Sequence, residues 1–154
     1  MSTALLNTGY LQLQVPAGWE SSIETDIAVV RAPVSGGFRP NVTAHTQAFP
    51  GSVARAATEG IAGALAALDQ VHILSCTLWP VPDTDGGRWI EYTYELQGTT
   101  LHLQQGLLLR SGLLTTFSAT CRTSQLPAYE DHFAKVASSL RFTVAGTEPE
   151  GNTP

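Results

Sequence analysis

His102, Glu91 and Ser118 are the residues of this chain whose types could do chemistry together. An imidazole, a carboxylate and a hydroxyl are what acyl transfer requires as base, orienting group and nucleophile. All three fall within one predicted run of strands, where period-two alternation puts Trp89, Glu91, Thr93, His102, Gln104, Thr116 and Ser118 on a single face. The catalytic scheme is poorly supported. Ser118 lies in mid-strand without the tight turn that presents a nucleophile, and no glycine nest adjoins it to hold an oxyanion. No catalytic residue is assigned. As a binding surface the same face reads better. Trp89 is its one large aromatic, Gly106 is expected opposite it, and Glu91, His102, Gln104 and Thr116 would ring the indole as a polar rim rings a hot-spot anchor. With glycine opposite, one flank of the indole is expected to stay open, unless Leu5 or Leu6 of the N-terminal segment folds across it. An ordinary solvated sheet face is the plain alternative, since alternation alone produces polar residues there.

Other chemistries find little footing. His45, His72, His102 and His132 are too dispersed to form a metal motif, and GxGxxG, Walker-type and HExxH patterns are lacking, so neither metal nor cofactor is expected. His72 is expected at the end of the core face beside Tyr94, and His132 on a wet helix face. Cys76 and Cys121 fall on the first and fourth strands of a meander, with two strands between them at ~4.8 Å spacing. Their separation of roughly 14 Å is too great for a disulfide, so two reduced, mostly buried thiols are expected.

The composition bounds the rest. At 154 residues with 43% hydrophobic and 14% charged residues, the chain reads as one globular domain, about 1–145, followed by a mobile tail over 146–154. A net charge of −5, with only eight Lys plus Arg, argues against a nucleic-acid partner. No apolar run approaches the roughly 20 residues of a membrane span, and the first twenty residues do not read as an export signal, so a cytoplasmic protein is expected.

The positioning elements come from periodicity. Val71–Trp79, Gly87–Leu96, Thr99–Leu109 and Leu113–Cys121 alternate as four antiparallel strands. A two-residue turn at Gln97-Gly98 sets Tyr94 opposite Leu101, Tyr92 opposite Leu103 and Ile90 opposite Gln105. A three-residue loop Arg110-Ser111-Gly112 would set Leu107 opposite Thr115. Leu74, Cys76, Leu78, Ile90, Tyr92, Tyr94, Leu101, Leu103, Leu107, Leu109, Leu113, Phe117 and Ala119 then form one core face. Strands are also expected at Tyr10–Val15, Asp26–Ala32, Pro40–Thr46 and Leu140–Val144, with helices at Ser52–Leu68 and about Pro127–Ser139.

Val15-Pro16-Ala17-Gly18-Trp19, the strand entry Phe38-Arg39-Pro40-Asn41-Val42, the meander centred on Tyr92-Thr93-Tyr94 and the closing Ala137-Ser138-Ser139-Leu140-Arg141-Phe142 together resemble the PsbP-like superfamily. That group includes actinobacterial LpqN-type proteins, DcrB-like proteins, EagR secretion chaperones and Ran-release factors. The resemblance spans about residues 8 to 145. It implies an α+β sandwich in which a curved antiparallel sheet of about six to eight strands is flanked by two main helices. It also implies a binding or assembly module rather than an enzyme; another protein, a second copy of the chain included, is the expected partner. The Arg and Ala usage suits a bacterium, and a chaperone or adaptor for a secretion or envelope system is the leading expectation. A small hydrolase using the polar sheet face and a purely structural subunit are the alternatives.

Overall fold

A computed structural model describes residues 3–143, and the tail expected over 146–154 lies outside them. The chain runs through β1 (Ala4–Asn7), β2 (Leu11–Val15), β3 (Glu20–Glu24), β4 (Ile27–Arg31), β5 (Asn41–Ala48), α1 (Val53–Ala67), β6 (Asp69–Leu78), β7 (Gly86–Leu96), β8 (Thr99–Arg110), β9 (Leu113–Arg122), α2 (Leu126–Ser139) and β10 (Arg141–Phe142). Seven strands form one sheet in the order β3-β4-β5-β9-β8-β7-β6, and β1-β2-β10 form a second, smaller sheet. Every described pairing is antiparallel. The fold is the α+β sandwich expected, and no helix among the described residues is long and apolar enough to cross a membrane.

Both faces of the large sheet are covered, each by a different layer. On one face α1 packs Val53, Ala56, Ala57 and Ala64 onto Ile90, Tyr92, Leu103, Leu107, Leu109 and Leu114. The Ser52 hydroxyl accepts from the Arg55 amide at 3.1 Å and starts that helix. On the opposite face Leu11, Leu13 and Val15 of β2 and Phe133, Val136 and Ala137 of α2 cover Ala28, Val30, Val42, Ala44, Phe117, Ala119 and Cys121. Pro127 stands in the first turn of α2, where its missing N–H costs nothing. Trp19 packs edge-on to Phe133 and Tyr129 and closes the end of this second core.

The register of β7 with β8 is the one expected: Tyr94 faces Leu101, Tyr92 faces Leu103 and Ile90 faces Gln105. At β8–β9 the expectation fails by one residue. Ser111 and Gly112 both adopt positive φ, 51° and 76°, which makes a two-residue turn with Arg110 opposite Leu113. Leu107 therefore faces Thr116 rather than Thr115, and a one-residue slip turns the whole of β9 over. Phe117 and Ala119 join the α2 face, while Thr116, Ser118 and Thr120 go to the α1 face. Neither face is simply wet.

Further differences lie at the sheet margins. β1 and β3 were not expected, because Glu20-Ser21-Ser22-Ile23-Glu24 lies almost wholly exposed and shows no apolar alternation. Of the closing strand expected over Leu140–Val144, the described residues form Arg141–Phe142, which joins β2 in the small sheet, and Val144 lies outside them. His72 is exposed and pairs with Thr93, not at the core end beside Tyr94. Leu74, Cys76 and Leu78, expected in the core, are exposed on β6, because α1 covers β7 and β8 and leaves the outermost strand bare.

Candidate functional site

Three of the five candidate residues converge on the carboxylate of a fourth, Glu91. Alternation along β7 puts Trp89 and Glu91 on the α2 face, and the β8 register sets His102 opposite Thr93 and Gln104 opposite Glu91. The Trp89 indole N–H donates to Glu91 Oε1 at 3.2 Å, and Gln104 Nε2 donates to the same oxygen at 3.4 Å. His102 Nε2 lies 3.0 Å from Glu91 Oε2. Since a carboxylate only accepts, that nitrogen carries the proton. His102 and Gln104 are each 5% exposed, whereas the Glu91 side chain keeps 27%. The carboxylate is thus the outer tip of a buried polar network.

Thr116 does not join this group. It lies on the α1 face opposite Leu107, with the sheet between it and the indole, because the Ser111-Gly112 turn reversed β9. Ser118 is there too, 3.5 Å from Gln105 Nε2. That removes the hydroxyl from the proposed His102–Glu91–Ser118 acyl-transfer trio, so this hydrolase scheme fails on geometry.

The flank of Trp89 expected to be open is filled from within. Trp79, just beyond β6, meets the Trp89 ring edge-on at 5.1 Å and 70°, and Phe117 stacks on it at 6.0 Å and 29°. Gly106 makes room for Trp79, whose six-membered ring lies where a Cβ at this position would be. Leu5 is exposed, Leu6 pairs with Leu13 of β2, and the aromatic cover of Trp89 is Trp79 and Phe117. Trp89 is half-buried. Replacing Glu91 with alanine would strip buried His102 and Gln104 of their acceptor; unfolding in urea should show a loss of about 1–2 kcal/mol. A change below about 0.5 kcal/mol would mean that water replaces the carboxylate without penalty.

The two cysteines are free, as expected, but not alike. Cys76 is exposed on β6, whereas Cys121 is fully buried on β9. Burial, assisted by the nearby Glu130 carboxylate, pushes the Cys121 thiol up to about 11 from an ordinary 9.0. Because the folded state favours the protonated thiol, its contribution to stability is complete below pH 9 and fades as the pH climbs towards 11. Burial raises Tyr92 and Tyr94 in the same direction. Urea melts at pH 8 and 10.5 should therefore show a steeper alkaline loss in the parent than in Cys121→Ala. Equal losses would contradict this. Among the described residues, no cluster of three or more His, Cys, Asp or Glu is placed to hold a metal ion.

Sequence reasoning found the Val71–Trp79 strand but missed that it stands as an exposed outer edge. β6 ends the sheet order and pairs, among the described residues, only with β7. None of its ten residues is buried, and Leu78 is 72% exposed. Its regular stretch Ser75–Leu78 lies against Arg88–Glu91, so Trp89 and Glu91 stand one strand in from the edge, behind Thr77 and Ser75. The Trp79 amide donates to the Gly87 carbonyl at 3.1 Å. By antiparallel alternation Thr77 is then bonded inward to Trp89, while Cys76 and Leu78 turn their N–H and C=O outward. The signal available in the sequence was position: this strand opens the meander, directly after a helix and directly before Pro80-Val81-Pro82.

The architecture is that of the PsbP-like fold, and solved structures agree with it. LpqN of Mycobacterium tuberculosis, described as involved in cell envelope biogenesis, superposes with a TM-score of 0.70 at 12% identity, covering 93% of this chain and 91% of that one. Cyanobacterial PsbP (CyanoP) from Synechocystis sp. PCC 6803 gives 0.67 at 14% identity over 92% of each chain. The protein of unknown function PA94 from Pseudomonas aeruginosa gives 0.65 at 16% identity over 98% and 99%. No protein-family model and no curated protein matches the sequence.

Proposed function

We propose that this chain is a non-enzymatic protein-binding module, bacterial and cytoplasmic, which takes up a partner's extended segment along β6 as a chaperone or adaptor for a secretion or envelope system. The observation that carries the reading is the bare edge. Long, exposed, apolar edge strands are rare in soluble proteins because they invite pairing, and proteins that keep them use them for strand addition. Here Cys76 and Leu78 offer main-chain donors and acceptors outward, and Ile73, Leu74 and Leu78 offer apolar side chains. The register breaks between Asp69 and His72 and between Ile73 and Ser75 confine regular pairing to the second half of the strand. Glu91, partly exposed one strand in behind Ser75, is the polar residue backing the edge, held toward β8 by Trp89, His102 and Gln104. The commitment of Glu91 and His102 to each other supports a positioning role over acid–base work. An exposed, unpaired Cys76 suits a reducing compartment. The envelope role of LpqN, which shares the fold, is the reason for placing the partner in such a system.

Cys76 supplies the test. A maleimide–benzophenone should label it selectively, since Cys121 is buried and resists ionisation. Irradiation in extract from the source cells should give one discrete adduct that disappears when Leu78→Pro removes an outward amide. Adduct formation indifferent to that change would count against the edge.

A further inference from the structure

We infer that the strand β6 receives is β6 of a second copy, paired antiparallel about a two-fold axis through Thr77. This rests on the open edge of the proposed function and names its occupant in the free chain, which a partner's segment would have to displace. The regular stretch is short, Ser75 to Trp79, bounded by a register break before it and Pro80 after it. Outward hydrogen-bonding groups fall at Cys76 and Leu78, two residues apart and symmetric about Thr77. An antiparallel copy centred there places Cys76 opposite Leu78 and Leu78 opposite Cys76, so each outward donor meets an outward acceptor and the contact closes on itself.

Charge favours the same occupant. Each copy carries −5, and two such molecules repel over most of their surfaces. Between Val71 and Trp79 there is no Asp, Glu, Lys or Arg, so this edge can meet its own image without opposing like charges. Nothing on it would select an acidic or a basic peptide. The side chains are self-matching as well. Cys76 and Leu78 lie on the α1 face, across from Ile90 and Arg88, and would form an apolar patch with their symmetry mates; Thr77 would meet Thr77 on the other face. About five residues a side is far below the 20–30 of a standard interface, so the dimer is weak and depends on concentration.

The geometry gives a specific test. Thr77 is bonded inward, so across the new interface it forms a non-hydrogen-bonded pair with Cα atoms about 4.5 Å apart, within disulfide range. In the full chain carrying Cys76→Ser and Thr77→Cys, diamide should take two electrons and two protons from the facing thiols and give a covalent dimer, whereas Ile23→Cys in the same Cys76→Ser background, exposed on another strand, should not. Sedimentation from low micromolar to about millimolar protein should show the parent passing from monomer to dimer, and Leu78→Pro should weaken that association at least tenfold. A parent that stays monomeric throughout, with no preference for Thr77→Cys over Ile23→Cys, would overturn the second copy while leaving the Cys76 photoadduct to decide whether another protein uses the edge. A dimer indifferent to Leu78→Pro, or a variant that misfolds by circular dichroism beside a Thr77→Cys that fails to cross-link, would overturn it too.

Discussion

Phe117→Ala should lower the unfolding free energy by about 3–5 kcal/mol, the range for emptying a large aromatic site in a packed core. Phe117 is fully buried, lies beside Gly106 on the neighbouring strand, and stacks on Trp89. Gly106 has no side chain to fall into the space, and Trp79 already occupies the room above it, so relaxation is restricted. Denaturant unfolding followed by circular dichroism checks the magnitude. A loss below about 1 kcal/mol would show that the Trp79–Trp89–Phe117 cluster repacks freely, and with it that Trp89 is not held rigidly behind the edge.

Gly87→Ala is expected to lose about 2–3 kcal/mol through overpacking. A Cβ at this position would overlap the main-chain carbonyl oxygen of Trp79 and press Leu108 at 2.9 Å. A carbonyl cannot rotate aside as a side chain can, so the end of β6 must shift and the hydrogen bond from the Trp79 amide to Gly87 must lengthen. The variant should therefore lose both stability and edge binding. Unchanged melting would mean that the Trp79 turn is loose, and that the outward disposition of Cys76 and Leu78 is not fixed by it.

What the sequence could disclose depended on whether a local pattern was sufficient. The α1 helix was legible from its repeat and from Ser52, whose hydroxyl caps it. The Gln97-Gly98 turn was legible because the alternating runs on either side leave only those two residues between them, although Gln97 too takes a left-handed φ, 50°, beside 79° for Gly98; its register followed. At Ser111 the same left-handed geometry falls on a residue that seldom adopts it, so a loop one residue longer looked natural and β9 was placed upside down. That single slip put Thr116 and Ser118 beside Trp89 and hid Phe117 from it. The burial of His102 and Gln104 was not legible at all. Alternation shows that polar residues share a face, but not whether water or Glu91 satisfies them. Likewise Leu74, Cys76 and Leu78 have a core strand's pattern, and only the reach of α1 decides that β6 is left bare.

Amide hydrogen exchange on β6, resolved by NMR in protein dilute enough to be monomeric, tests the open edge most directly. Thr77 and Trp79, whose amides point to β7, should be protected, while Cys76 and Leu78, pointing outward, should exchange nearly as fast as unstructured amides. Equal protection of all four in the monomer would contradict the open edge, because something within the chain would already fill it.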